Sequence, residues 1–283
     1  MSTPEPASVH GGHSGQFCNH ATDSLEEIVQ QYIQQGFPWV GITEHAPGIR
    51  QELLYPDQQA LGLTPKFLYE RYGKYIQECR RLAEKYKNEI EILPAMEIET
   101  YSGYEDFVPQ LLAEFQPEYI VGSVHFVDDM GIDYSKEQYM ETADKIGGID
   151  KMYCHYFDIQ FEMIERLKPS VVGHFDLVRI FDEEYKKRLQ KPEIHSRVVR
   201  NLESIKKHDL IMDFNLRALK KGASEPYITK NILHIAHEMG IAVVPGDDSH
   251  GVDQVANHME IAFEILTACG FSTEWKKPKK YIY

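Results

Sequence analysis

The sequence EIEILPAMEIET at residues 89–100 places a short apolar run between two helical stretches. The run predicts a buried strand over Glu89–Glu97, because it is rich in Ile and Leu and is short for a helix. A helix is predicted before it at Pro65–Tyr86, and another after it at Tyr104–Phe115. This helix–strand–helix order is typical of α/β proteins.

The same pairing of a strand with a following helix recurs along the chain. Six more strands are predicted at Ser8–His13, Trp39–Thr43, Tyr119–His125, Ser170–Asp176, Leu210–Asn215 and Ala242–Asp248. Five more helices are predicted at Ser24–Gln35, Lys136–Leu167, Glu193–His208, Pro226–Met239 and Val252–Ala268. Strict alternation indicates a parallel sheet, either open and doubly wound or closed into a barrel. Without a linker-like segment, we expect one domain over residues 1–283.

Composition and charge narrow the possible functions. The formal net charge of −14 argues against nucleic acid as the main partner, because phosphate backbones require clustered Lys and Arg. A small phosphate substrate remains compatible if bound metal ions make its site locally positive. The four scattered Cys residues favour reduced thiols, and no apolar run or signal peptide indicates a membrane or secreted protein. We therefore expect a cytoplasmic protein; its oligomeric state is not predicted.

Side chains that can bind metals follow six of the seven predicted strands. In chain order they are His10, His13, His20, His45, Glu97, His125, His174, Asp248 and His250. In a barrel the carboxyl ends of all strands meet on one face, so these side chains should converge. Imidazole and carboxylate groups suit zinc, iron or manganese, and neighbouring ions can activate water and neutralise phosphoryl oxygens. The pattern predicts a metal-dependent hydrolase.

These residues stand in motifs that resemble one known family. The motifs are HGGH at 10–13, FCNHA at 17–21, TEHAP at 43–47, AMEIE at 95–99, GSVHF at 122–126, GHFDL at 173–177 and GDDSH at 246–250. Together they are similar to the polymerase and histidinol phosphatase (PHP) family, and closest to its histidinol-phosphate phosphatases. The resemblance implies a distorted (β/α)7 TIM-like barrel with its metal site at the C-terminal ends of the strands.

The resemblance also implies three divalent metal ions, of zinc, iron or manganese, and a ligand set for each. The first ion would be bound by His10, His13, Glu97 and Asp248. The second would share Glu97 and add His125 and His174. The third would be bound by His20, His45 and His250. Glu97 would then bridge two ions, so its loss should empty two sites.

Three motifs depart from the family pattern. The family opens with Asp-x-His-x-His, whereas this chain has HGGH, so Gly11 and Gly12 must bend the strand to turn both histidines inward. DFN at 213–215 replaces Glu-Ile-Asn. GDDSH replaces Gly-Ser-Asp-Ala-His, although Asp248 and His250 still align.

Basic residues after two strands are candidates for holding a phosphate. Arg179 follows the GHFD strand, where the family has a phosphate-binding arginine, and Arg217 or Lys220 follows the sixth strand. An arginine fork suits phosphate oxygens and can balance charge during the reaction. Asp176 and His250 are candidates for the group that protonates the leaving oxygen.

The leading functional hypothesis is hydrolysis of L-histidinol phosphate to histidinol and phosphate in histidine biosynthesis. It rests on the resemblance, since the sequence identifies no residue that would recognise the imidazole of the substrate. Three alternatives remain: another small phosphate ester, nucleic-acid ends, or a metal-binding domain without turnover.

Overall fold

A computed structural model describes residues 4–283, and its centre is a sheet of seven parallel strands. Strands β1 to β4 are Ala7–Ser8, Trp39–Ile42, Glu91–Ile98 and Tyr119–Gly122. A small antiparallel hairpin follows, with β5 at Phe126–Val127 and β6 at Met130–Gly131. The sheet continues with β7 at Val171–Val172, β8 at Ile211–Asn215 and β9 at Ala242–Gly246.

Helices connect successive strands. Those before β4 are α1 at Leu25–Gln34, α2 at Pro56–Ala60, α3 at Pro65–Lys85 and α4 at Tyr104–Phe115. Those between β6 and β8 are α5 at Lys136–Ile146, α6 at Ile149–Leu167, α7 at Tyr185–Arg188 and α8 at Pro192–Lys207. The last three are α9 at Arg217–Lys220, α10 at Lys230–Glu238 and α11 at Met259–Ala268. Short 3₁₀ turns lie at Gln51–Leu53, Leu177–Arg179 and Val252–Gln254.

The sheet closes on itself, so the barrel is confirmed and the open sheet is excluded. The strand order is β1-β2-β3-β4-β7-β8-β9, and β1 meets β9 at the seam. There the Val9 amide donates to the Pro245 carbonyl at 3.0 Å, and the Asp248 amide donates to the His10 carbonyl at 2.8 Å. Closure of the barrel brings the carboxyl ends of its strands together on one face. Residues that are far apart in the sequence can therefore meet there.

The barrel interior is built by the two-residue alternation of each strand. In β3, Leu93 and Ala95 pack inside the barrel, and Glu97 continues on the same side. Ile92 and Met96 point the other way, into the larger apolar layer between sheet and helices. Apolar residues thus fill the lower barrel, and polar residues on the same faces fill its carboxyl end.

The first strand is shorter than predicted. Regular pairing covers only Ala7–Ser8, although the chain stays close to β2 beyond Ser8. A Cβ atom on Gly11 would lie 2.2 Å from the Gly41 carbonyl oxygen, so only glycine permits this close approach. The backbone bends at Val9 and His10, directly before the bend predicted at Gly11 and Gly12, and both His10 and His13 are buried.

Three predicted helices have the wrong bounds. Lys136–Leu167 is two helices, because Gly147 and Gly148 adopt positive φ angles of 95° and 117° between them. The helix predicted at Pro226–Met239 begins only at Lys230. The one predicted at Val252–Ala268 begins at Met259, after a 3₁₀ turn. The spacing of apolar residues did not distinguish the irregular segments before these helices from the helices themselves.

Within residues 4–283, no helix is long and apolar enough to cross a membrane.

Candidate metal centre

The candidate site lies at the carboxyl end of the barrel, and Glu97 stands at its centre. Glu97 is 1% exposed, and its two carboxylate oxygens face different histidines. Oε1 lies 3.0 Å from His174 Nε2 and 3.6 Å from His125 Nε2. Oε2 lies 3.0 Å from His45 Nδ1, 3.3 Å from His10 Nε2 and 3.9 Å from His13 Nε2. We refer to these six residues as the Glu97 cluster.

Backbone pairing fixes the position of His45 against Glu97. The two residues form a parallel bridge just beyond the paired part of β2 and β3. The Ala46 amide donates to the Glu97 carbonyl at 2.8 Å, and the Glu97 amide donates to the Glu44 carbonyl at 3.1 Å. The ladder therefore continues into the site and holds a rigid carboxylate between the histidines.

Ligand atoms within the site form three compact groups. In each group all ligand atoms lie within 4.8 Å of one another: His10, His13 and Glu97; Glu97, His125 and His174; and His13, Cys18, His45 and His250. Glu97 is shared by the first two groups, as a bridging carboxylate would be. Asp248 adjoins the first group, because its Oδ1 lies 3.4 Å from His13 Nε2.

The third group differs from the set that the resemblance implied. It contains Cys18, which is buried, in place of His20. The His20 side chain is 41% exposed, and its Nδ1 lies 3.8 Å from Asp57 Oδ2. Its ring still stacks on that of His250, with centroids 4.9 Å apart. His20 is therefore next to the group, and Cys18 is a candidate ligand that the sequence analysis did not include.

Several buried ring nitrogens in the cluster make no hydrogen bond of good geometry within residues 4–283, although His10 Nε2 and His45 Nδ1 lie close to Glu97 Oε2. These ring nitrogens are His10 Nε2, His13 Nε2, both nitrogens of His45 and His174 Nδ1. An unpartnered buried polar atom is costly, and native proteins rarely leave several in one place. Divalent metal ions would satisfy these nitrogens, since neutral imidazoles and carboxylates are their usual ligands. The residues present therefore fit a divalent metal centre.

A second layer of carboxylates orients the histidines. Asp213 Oδ2 lies 2.8 Å from His10 Nδ1, Glu99 Oε2 lies 2.7 Å from His125 Nδ1, and Glu44 Oε1 lies 3.3 Å from His13 Nδ1. Metal-binding histidines commonly use such partners to fix the ring and its tautomer. Sequence reasoning missed Glu44 and Glu99 and noted Asp213 only as a departure in the DFN motif. Two-residue alternation with Glu97 could have found Glu99.

Charge within the cluster is balanced by protons when no cation is bound. Burial by itself lowers the pKa values of His13 and His125. Neighbouring carboxylates raise these pKa values by more than burial lowers them, so the results are about 9 for His13 and about 10 for His125. Burial raises the pKa of Glu97, but His10 and His45 bring it well below its ordinary range. Metal binding would displace those imidazole protons.

His250 has the opposite environment. Burial, together with the charges of His13 and Arg217, holds the pKa of His250 well below its ordinary value. Its Nδ1 lies 3.0 Å from the Asp248 carbonyl oxygen and donates to it, which leaves Nε2 as an acceptor. A neutral imidazole of this kind suits metal coordination better than proton donation.

Asp176 and Arg179 form a buried network that does not line the cavity described below. Asp176 is fully buried and accepts from the Thr229 amide at 2.9 Å and from Arg179 Nε at 3.2 Å. Arg179 also donates to the carbonyls of Glu225 and Pro226, at 3.0 and 2.6 Å. We call Asp176, Arg179 and Thr229 the Asp176 network; it holds the segment 225–229 that precedes α10.

A cavity of about 330 Å³ opens above the cluster. Its lining includes His20, His45, Tyr55, Asp57, Glu97, His125, Asp133, Tyr134, His174, Arg217, Lys221, Tyr227, Asp248 and His250. Of the basic residues proposed for phosphate, Arg217 lines this cavity and donates to the Asp248 carbonyl at 3.0 Å. Lys220 instead extends to Asp253, at 3.6 Å, and the adjacent Lys221 lines the cavity.

The segment 48–62 lies at the mouth of the cavity, to which it contributes Tyr55 and Asp57. It is not free of regular structure, because it contains the short helix α2. Tyr55 donates to Glu99 Oε1 at 2.7 Å and so ties the loop to the second layer of carboxylates.

The chain is similar to one family of proteins along most of its length. A model of the PHP domain matches residues 11–217. A probable histidinol-phosphatase of Schizosaccharomyces pombe is 35% identical, with 95% of this chain and 88% of that relative aligned. The histidinol-phosphatase of Saccharomyces cerevisiae is 30% identical, over 87% of this chain and 84% of the relative.

Two crystal structures have similar folds. One is hisK of Listeria monocytogenes, assigned as a histidinol phosphatase; it is 28% identical, with a TM-score of 0.81 over 90% of this chain and 99% of that one. The other is histidinol phosphate phosphatase of Lactococcus lactis, in complex with zinc, L-histidinol and phosphate. It is 16% identical, with a TM-score of 0.74 over 95% of each chain.

Proposed function

The chain belongs to the PHP domain family, and from that premise we propose that it hydrolyses L-histidinol phosphate to L-histidinol and phosphate. The family resemblance in the sequence is thereby confirmed, and so is the expectation of a phosphoric monoester hydrolase, the activity named for its relatives. One observation carries the proposal most directly: His45 and His174, whose imidazoles have unpartnered nitrogens, line with Glu97 the cavity that would hold the ester.

Three divalent ions would be held by the three groups of ligand atoms described above, with Glu97 bridging two of them. When bound, such ions supply positive charge for the phosphoryl oxygens and acidify water. Glu97 and its histidines are rigid, because backbone ladders and the second-layer carboxylates fix them. A preorganised site of this kind spends little free energy on reorganisation during the reaction.

Arg217 is the proposed phosphate-binding side chain, because its guanidinium lies at the cavity wall. One of its Nη atoms already donates to the Asp248 carbonyl and to Gln254, which orients the remaining donors. Lys221 adds a second positive charge nearby. Arg179 has a different proposed role: it positions segment 225–229, and with it Tyr227, whose ring it contacts at 4.7 Å.

Of the two candidate proton donors, only His250 reaches the cavity, and its lowered pKa suits a metal ligand better than an acid. Asp176 accepts hydrogen bonds from the Thr229 amide and from Arg179, and it does not line the cavity that would hold the ester.

The size and charge of the cavity favour a small monoester over nucleic acid. A space of about 330 Å³ is at the low end for small-ligand sites, and only Arg217 and Lys221 supply cationic side chains along it. Binding a polynucleotide would need several further phosphate contacts. The match to the family model ends at residue 217. The segment beyond it belongs to the same proposed domain, because β9 closes the barrel and is followed by Asp248 and His250, which line the cavity.

A panel of phosphate esters tests the proposal. Phosphate release should be measured with the purified, metal-replete protein on L-histidinol phosphate, glycerol phosphates, sugar phosphates and labelled single-stranded DNA. We expect kcat/KM for L-histidinol phosphate to exceed the others by at least roughly tenfold, because a site with polar groups for one ester rejects analogues that lack the matching groups. The Glu97→Gln variant, prepared identically, reports contaminating phosphatase. Preference for another ester, or faster release from DNA, would overturn the assignment.

A further inference from the structure

One carboxylate in the cavity has an oxygen that no group of the protein satisfies. Four carboxylates line the cavity: Asp57, Glu97, Asp133 and Asp248. Three of them face donors or imidazoles of the protein. Asp133 differs, because its Oδ1 is buried and accepts no hydrogen bond from any residue within 4–283. A carboxylate in the cavity wall that no protein donor satisfies is free to accept hydrogen bonds from a ligand.

The β5–β6 hairpin holds Asp133 in place. The Ile132 amide donates to the His125 carbonyl at 3.0 Å, and Thr142 Oγ1 donates to the Gly131 carbonyl at 3.2 Å. Asp133 follows directly, so its backbone is fixed relative to a metal-site histidine. The adjacent Tyr134 also lines the cavity, and its side chain is 53% exposed although it is aromatic.

Charge is unevenly distributed along the cavity. Arg217 and Lys221 come from the end of β8, whereas Asp133 comes from the hairpin that follows β4, and β7 lies between these strands in the sheet. A phosphate drawn to Arg217 and to the metal centre would leave the other end of a small ester near the hairpin. That end therefore meets a negative charge and an aromatic ring.

L-Histidinol phosphate has matching groups, namely an ammonium on the carbon next to the ester carbon and an imidazole beyond it. Resting on the function proposed above, we infer that Asp133 binds this ammonium group and selects cationic phosphate esters over neutral ones. Tyr134 offers its ring face to the imidazole. A charge-assisted hydrogen bond in a partly closed site is among the stronger polar contacts available to a ligand.

The test compares Asp133→Asn with the wild type on matched substrates, using metal-replete protein. The substrates are L-histidinol phosphate, its analogue lacking the amino group, and p-nitrophenyl phosphate. We expect KM for L-histidinol phosphate to rise roughly 10- to 100-fold in the variant, with kcat changed much less. For the two esters without an ammonium group, kcat/KM should stay within about threefold.

Glu137→Gln is the matched control, because it removes the same charge from an exposed position on α5 outside the cavity. It should leave all three substrates unaffected. Tyr134→Leu should weaken both imidazole-containing esters and spare p-nitrophenyl phosphate. An equal loss on all esters in Asp133→Asn would assign Asp133 a structural role and overturn the inference, as would unchanged KM for L-histidinol phosphate.

Failure of this inference is distinguishable from failure of the proposed function. If the wild type prefers another ester, the panel still asks whether cationic esters are favoured over neutral ones and whether Asp133→Asn abolishes that preference. If the wild type prefers L-histidinol phosphate and the variant keeps that preference unchanged, the function stands and the role of Asp133 is wrong.

Discussion

Two buried charged groups lie at the carboxyl end of the same barrel, and they differ in how their polar atoms are satisfied. In the Asp176 network, no polar side-chain atom within the described chain is both buried and without a partner. In the Glu97 cluster, ring nitrogens of His10, His13, His45 and His174 are buried without one. The protein completes the first group by itself, whereas the second requires something from outside. The contrast separates a structural network from a binding site.

The largest expected effect concerns Glu97. Glu97→Gln replaces an oxygen that two ligand groups share, so we expect loss of at least about one metal ion per chain and a fall in kcat/KM of roughly 10⁴-fold or more. Metal analysis and phosphate release would measure both. Glu99→Gln is the matched change one layer out, and it should cost only about 10- to 100-fold. Equal, small effects in both variants would remove the distinction between the layers.

The next prediction concerns stability in the Asp176 network. Arg179→Ala should lower the free energy of unfolding by about 3–5 kcal/mol, because Asp176 would be left as a buried charge without its cation. Metal content per folded chain should stay at the wild-type level. Urea unfolding followed by circular dichroism, with parallel metal analysis, would check this. Arg188→Ala, which removes a partly exposed arginine paired with Asp182, is the comparison and should cost less. Loss of metal from folded Arg179→Ala would contradict the separation of the two groups.

A smaller effect distinguishes Cys18 from His20 at the third ligand group. Because the Cys18 sulfur lies in that group, Cys18→Ser should weaken binding of one metal ion by roughly tenfold or more. A cobalt-substituted protein should also lose its thiolate-to-cobalt absorption. His20→Ala should keep that absorption, since its ring is partly exposed and faces Asp57. A spectrum without a thiolate band in the wild type would favour the set with His20.

The smallest expected effect is a pH dependence of opposite sign with and without metal. The pKa values of His13 and His125 are raised to about 9 and about 10 in the metal-free fold, above the ordinary value near 6.5. At pH values between 6.5 and these raised pKa values, the folded chain holds protons that the unfolded chain has released. The stability of the metal-free protein should therefore fall as pH rises. Zinc must displace the same protons when it binds. The extra stability that zinc provides should therefore grow as pH rises.

Urea unfolding at pH 6.5, 7.5 and 8.5, with and without zinc, would measure both trends. His125→Asn should reduce the slope of the metal-free protein, whereas His155→Asn, an exposed site paired with Asp128, should leave it unchanged. Metal-free stability that rises over this range would contradict the proton balance in the cluster.

Much of the fold and of the site followed from the sequence. Seven short apolar runs predicted the parallel strands, and the metal-binding residues that follow six of them predicted the convergence of Glu97, His125 and His174. The alternation Leu93, Ala95, Glu97, Glu99 points to one side of β3 throughout, so even Glu99 was within reach of the sequence.

Other features required the tertiary structure, because they depend on distances between segments far apart in the chain. Asp213 meets His10 only once β8, β9 and β1 are adjacent, and Gly246 leaves room for the pair, since a Cβ there would lie 2.0 Å from Asp213 Oδ1. Arg179 follows the GHFD motif at a spacing that suits phosphate, yet the fold turns it toward the carbonyls of Glu225 and Pro226. Residue type and strand period determined which side chains face the site; closure of the barrel and the paths of its loops decided which of them touch.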